Sequence, residues 1–173
     1  MKKQPAVLLI LLAFVLVVGT LVYLKYSSRQ DKVIFNPQTT GSPVSKLKMY
    51  KSLELDFSTQ LPTSYIVDVK FTHLDLKNTT GSIGVDRNAH TFASLKEYLA
   101  DVDDRDQLPS VNIIKEFLVN KHQVVVRDEL RGGVKVRMYY IFTNDWVYVF
   151  STESESLYSD LDQIAQSFQY TPN

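Results

Sequence analysis

The feature that most constrains this chain lies at its start. Residues 6–24 read AVLLILLAFVLVVGTLVYL, nineteen residues without a charge. A helix of that length rises roughly 30 Å, about the thickness of a bilayer's hydrocarbon core. A cleaved signal peptide has a shorter apolar stretch and a small-residue cleavage site, whereas the exit here, TLVYLKY over residues 20–26, is bulky. A helix packed in a soluble core would keep a polar face, and this segment has none. Residues 1–25 are therefore expected to form a retained signal anchor, with a single transmembrane helix meeting the lipid bilayer through residues 6–24.

The flanking charges come close to a tie. Lys2, Lys3 and the α-amino group precede the apolar run, and Lys25, Arg29 and Lys32 follow it. A five-residue basic tail running straight into a long apolar stretch resembles an uncleaved signal anchor. The expected topology is a single-pass cell-membrane protein with a cytoplasmic N-terminus and an extracytoplasmic C-terminal domain. Type IV pilins also begin with a basic leader and an apolar helix, but theirs carries an early Glu, and none occurs here before Glu54.

Residues 26–45 (YSSRQDKVIFNPQTTGSPVS) are polar, hold Pro37, Gly41 and Pro43, and read as a flexible tether reaching about 25 Å. Only Val33-Ile34-Phe35 could pack or add a short strand. The 173 residues carry 19 Lys+Arg against 19 Asp+Glu, and from Tyr26 onward 16 basic face 19 acidic. Neither a nucleic-acid binder nor a domain docked on anionic lipid is built this way. The absence of Cys excludes disulfides, thiol catalysis, thiolate zinc sites and a lipid-modified N-terminal cysteine.

From residue 46 to 173 the texture is that of one domain. Short strands are expected at 48–51, 53–57, 65–72, 74–77 and 82–86, with Leu61-Pro62 as a breaker and Asn78-Thr79-Thr80-Gly81 as a turn. A helix follows. Ser94-Leu95-Lys96-Glu97 fits a capping box, and Phe92, Leu95, Tyr98, Leu99 and Val102 share one face. The acidic run 101–106 should end this helix early, since carboxylates at a helix C-terminus oppose the dipole. Strands at 112–119, 123–127, 134–143 and 146–151 come next. Arg131-Gly132-Gly133 and Asn144-Asp145 form the turns, with the glycines and the Asn supplying positive φ. A last helix over 156–167 places Leu157, Leu161, Ile164, Ala165 and Phe168 at the 3.6-residue period. The class is α+β: an antiparallel sheet flanked by helices.

This order of elements resembles the PsbP-like family (Mog1/PsbP fold). The resemblance rests on Met49-Tyr50-Lys51-Ser52-Leu53-Glu54-Leu55-Asp56-Phe57, on Leu61-Pro62 and on Ser94-Leu95-Lys96-Glu97-Tyr98-Leu99. It continues through the paired strands 139–142 and 146–150 to the ending Ile164-Ala165-Gln166-Ser167-Phe168-Gln169-Tyr170. It implies binding or assembly subunits rather than enzymes. Photosystem-associated members help retain calcium and chloride, and the Mog1 branch binds a Ran-type GTPase. Fold alone transfers neither activity.

A search for chemistry yields no catalytic, cofactor-binding or metal site. His73, His90 and His122 stand apart, with no HxH or HxxxH spacing. The run Asp101-Val102-Asp103-Asp104-Arg105-Asp106 invites calcium. An EF-hand would need Gly at the position of Asp106 and Glu at that of Asn112. There is no GxSxG elbow, SxxK motif, P-loop or GxGxxG. Asn78-Thr79-Thr80 has the form of a glycosylation sequon. The stripe Tyr139, Tyr140, Phe142, Trp146, Tyr148 and Phe150 could stack a sugar or base, but on paired strands half must face the core. The expectation is thus a non-catalytic, membrane-anchored, extracytoplasmic domain that binds a protein partner or serves assembly, without cofactor. The alternatives are a small-ligand or ion-binding domain, using the strand aromatics or Asp101, Asp103 and Asp104, and a cytoplasmic-facing GTPase-binding domain of opposite topology.

Overall fold

The computed structural model describes residues 46–109 and 111–172. The apolar run 6–24 and the tether 26–45 lie outside the described residues. Among the described residues no helix is long and apolar enough to cross a membrane.

The elements run β1 (Leu47–Ser52), β2 (Phe57–Pro62), β3 (Ile66–Lys70), β4 (His73–Asn78), β5 (Gly81–Ala89), α1 (Leu95–Arg105), β6 (Val111–Val119), β7 (His122–Arg131), β8 (Val134–Phe142), β9 (Trp146–Thr152), a 3-10 turn (Glu155–Leu157), α2 (Tyr158–Gln166) and β10 (Gln169–Tyr170). Seven strands form one antiparallel sheet in the order β3-β4-β5-β9-β8-β7-β6, and three form a smaller one, β1-β2-β10. The α+β class stands, with a second sheet that the strand pattern alone does not announce.

Turn chemistry explains most hairpins. Gly132 and Gly133 (φ 58° and 85°) close β7 onto β8, with Arg131 opposite Val134. Asn120 and Lys121 (φ 47° and 73°) do the same between β6 and β7, and this left-handed pair replaces the one expected at Asn144. The turn at Asn144-Asp145 instead closes by Thr143 N donating to Trp146 O at 2.8 Å and needs no positive φ at Asn144. Asn78 caps its own hairpin, its Oδ1 accepting from Thr80 N and Gly81 N.

Residues 53–56 of the strand expected at 53–57 form a turn, and Phe57 opens β2. Ser52 Oγ accepts from Leu55 N at 3.2 Å and Asp56 takes φ 55°, so Leu55 and Phe57 are buried while Leu53 stays 47% exposed. Nor does Leu61-Pro62 break a strand. Leu61 is buried in β2, and Pro62 ends it beyond the reach of β10, which pairs only with Phe57 and Ser58. With β1 alone beside it, a missing N–H is tolerated there.

Strand alternation builds two cores, one on each face of the large sheet. On one face Leu74, Leu76, Ile83, Val85, Tyr139, Ile141, Tyr148 and Phe150 pack against Phe57, Leu61 and the buried row of α2 and its flanks, Leu157, Leu161, Ile164, Ala165 and Phe168. On the other, Val125, Val136, Met138, Tyr140, Val147 and Val149 pack under Leu95, Tyr98, Leu99 and Val102 of α1. The aromatic stripe therefore serves both cores, with Tyr139, Tyr148 and Phe150 on one side and Tyr140 and Phe142 on the other.

Candidate functional site

Helix α1 covers only part of its face. The second core draws on β7, β8 and β9 and on no residue of β3, β4 or β5. Because Leu74, Leu76, Ile83 and Val85 point into the first core, the alternate residues of β4 and β5 point out of the half that the α1 core leaves out. Register then sets them in rows. Lys70, His73 and Asp86 form one, Asp68, Asp75 and Gly84 the next, and Ile66, Lys77 and Ser82 the third. Three adjacent strands thus carry a ledge of three carboxylates and three basic groups.

The ledge is paired throughout. Lys70 Nζ donates to Asp75 Oδ2 at 2.6 Å, and Lys77 Nζ to Asp68 Oδ2 at 2.9 Å, with Asp75 Oδ2 a further 3.3 Å from Lys77. His73 sits between two carboxylates, Nδ1 at 2.7 Å from Asp86 Oδ1 and Nε2 at 2.9 Å from Asp75 Oδ1. Hydrogen bonds from Lys70 and then His73 hold the Asp75 carboxyl well below the usual carboxylate range. Burial opposes charging His73, but its bonds to Asp75 and Asp86 outweigh that and raise its proton affinity above the ordinary imidazole value. The ring lies against Gly84, where a Cβ would come within 3.2 Å of His73 Cε1. Beside it a shallow depression of about 410 Å³ is lined by Asp75, Ser82, Gly84, Ser151, Glu153 and Ser154.

Two large apolar side chains bracket this ledge on the outer strand. Ile66 is 74% exposed at the start of β3, and Phe71, just past its end with φ 40°, is 83% exposed. Strand β3 is an outer strand of the sheet, with its second edge unpaired among the described residues.

The other candidates from the sequence fall elsewhere. His90 Nε2 donates to Thr143 O and its ring lies 4.2 Å from the Phe142 ring; His122 packs edge-on to Phe168 and Tyr170. The acidic run does not end α1 early. The helix continues to Arg105, with Asp106 as C-cap and Gln107 left-handed at φ 47°. Basic partners make this possible. Asp101 pairs with Arg105 at 3.2 Å, Asp103 with Arg127 at 2.8 Å, and Asp106 with Arg131 at 3.0 Å. Burial raises the Asp106 carboxyl, but Arg105 and Arg131 outweigh it and the net shift is downward. Asp101, Asp103 and Asp104 do not converge on an ion: among the described residues no group of three or more His, Asp or Glu could hold a metal.

Beneath the run is a buried network that sequence reading missed. Glu129 accepts from Arg127 Nε at 2.6 Å, Arg131 Nε at 2.5 Å and Tyr140 OH at 2.5 Å. Burial and then the Glu129 charge push the Tyr140 hydroxyl far up, so it remains a donor. Val125, Arg127 and Glu129 alternate toward α1, and nothing in that spacing distinguishes buried charges from an exposed polar face. This cluster fastens α1 to the sheet.

No family profile and no curated protein matches the sequence. Among solved structures, the chain is similar to cyanobacterial PsbP (CyanoP) from Synechocystis sp. PCC 6803, at 14% identity and a TM-score of 0.50, over 78% of this chain and 98% of that one. A Pseudomonas aeruginosa protein of unknown function, PA94, is also 14% identical, over 61% of this chain and 80% of that one. Its TM-score of 0.33 carries no weight. Together with the antiparallel sheets and two helices, the likeness to CyanoP establishes a PsbP-like α+β fold.

Proposed function

We propose that this chain is a single-pass membrane protein, anchored through residues 6–24, that presents its PsbP-like domain outside the cell as a non-catalytic protein-binding module. The carrying observation is the outer strand β3, where Ile66 (74% exposed) and Phe71 (83% exposed) bracket the charged ledge. An unpaired strand edge with apolar anchors accepts an extended segment of another protein, main-chain hydrogen bonds supplying affinity and alternate side chains register. The occupant that fits is a strand with an apolar residue against Ile66, a basic one near Asp68 and an acidic one near Lys70. Both nitrogens of His73 are engaged by carboxylates, so neither is available to take a proton from a nucleophile, and this supports the non-catalytic reading. The strand aromatics that a ligand pocket would need are spent on the two cores.

A photo-crosslinking side chain at Ile66 tests this in intact cells, with one at the exposed Lys96 of α1 as control. Discrete adducts to an envelope protein from position 66 and not from 96 are expected. Equal adducts from both positions, or none from 66, would refute the docking edge.

A further inference from the structure

We infer that His73 makes the ledge a proton-sensitive surface, in which protonation binds Asp75 and Asp86 to one ring and deprotonation breaks one of those two bonds. This rests on the docking reading only for its consequence, which is that pH outside the membrane would tune what β3 and its neighbours offer a partner.

The argument begins with donors and acceptors. An ionised carboxylate only accepts hydrogen bonds, and Asp86 and Asp75 approach opposite nitrogens of one imidazole at 2.7 and 2.9 Å. A neutral ring carries one N–H, so it can satisfy one of them and must turn a lone pair toward the other. Only the imidazolium satisfies both. Charge agrees with geometry. Lys70, Lys77 and protonated His73 balance Asp68, Asp75 and Asp86; loss of the proton leaves one negative charge in excess.

Among the described residues the charged groups around the ring are Asp68 and Lys70 on β3, Asp75 and Lys77 on β4, Asp86 on β5, and Glu153, which lines the neighbouring depression. The neighbouring strand β9 adds the Ser151 hydroxyl, beside Gly84. The two carboxylates are not equivalent. Asp75 keeps Lys70 and Lys77 whatever His73 does and is 18% exposed, whereas Asp86 is 45% exposed and bonded to the ring. A neutral ring therefore keeps its N–H for Asp86, and Asp75, still held by its two lysines, is the carboxylate that gives up the ring. Gly84 completes the device, since the ring rests where a side chain at 84 would intrude.

The sign follows. A histidine whose proton affinity is raised by folding adds stability below its ordinary value of about 6.5, and that contribution is lost as pH rises through the higher folded value.

The test is nitrogen NMR of histidine-labelled full-length chain in lipid nanodiscs. The sequence has three histidines, and the resonance lost in His73→Gln identifies the one in question. Both ring nitrogens of His73 should be protonated at pH 5.5, with a midpoint above 6.5. Asp86→Asn should lower proton affinity about tenfold or more, and Gly84→Ala should lower it by displacing the ring. A midpoint at or below 6.5, or one unmoved in Asp86→Asn, would overturn the proposal. The NMR result is independent of any partner, so failure of cross-linking at Ile66 would sink the docking reading and leave this one standing.

Discussion

One face of one sheet is used in two ways. Over β7–β9, helix α1 seals the surface, and the charges beneath it, Arg127 and Glu129, are each 1% exposed and multiply bonded. Over β3–β5 no helix among the described residues packs on the ledge, and similar chemistry is spread in the open as Asp68, Lys70, His73, Asp75, Lys77 and Asp86. Residue type alone does not say which is which. Removal from water makes the first group a fastening whose loss is costly, because a buried charge without its partner cannot be rehydrated. Contact with water leaves the second group cheap to rearrange, which suits a surface that meets partners.

That contrast can be broken by substitution. The largest effect should come from Glu129→Ala, which takes the buried partner from Arg127 and Arg131, leaving each only its aspartate on the α1 side, and removes the acceptor of Tyr140. A loss of about 3–5 kcal/mol is expected, read as a fall in the thermal unfolding midpoint of the full-length protein in detergent. A loss under about 1 kcal/mol would mean that the covered half is no more committed than a surface pair. Ser94→Ala should come next. Its Oγ accepts from Glu97 N at 3.3 Å, and removing such a cap costs about 1 kcal/mol. Lys77→Met on the ledge should leave the unfolding midpoint unchanged. A marked drop would show that the open half is structural after all, and the division between the halves would fall.

Much of this architecture is legible in the residues. The buried row Leu157, Leu161, Ile164, Ala165 and Phe168 follows from helical period, and the start of α1 from Ser94 and Glu97, although Glu97 reaches back to Ala93 N rather than to Ser94 N. Gly132-Gly133 sets the β7–β8 register by backbone freedom alone. Even the centre of the ledge was within reach. A two-residue turn with Asn78 opposite Gly81 forces His73 opposite Asp86, and Asp75 lies two residues along the same strand face. What local pattern cannot convey is coverage. Whether α1 lies over β7–β9 or β3–β5 is decided by long-range packing, so the six ledge groups and the Arg127–Glu129 cluster look alike until the helix is placed. Likewise the stop of α1 was misjudged because Arg127 and Arg131, the partners that let Asp103 and Asp106 continue the helix, come from a distant strand.

The chain lacks cysteine, which allows the central claim to be tested by a single introduced thiol. Ile66→Cys and Lys96→Cys variants of the full-length protein would be exposed on intact cells to a membrane-impermeant maleimide, then again after detergent solubilisation. An external domain with an occupied β3 edge predicts labelling of position 96 in both states, and of position 66 only after solubilisation separates the partner. Absence of labelling at 96 until cells are lysed would contradict the external topology, and equal labelling at 66 in both states would contradict the occupied edge.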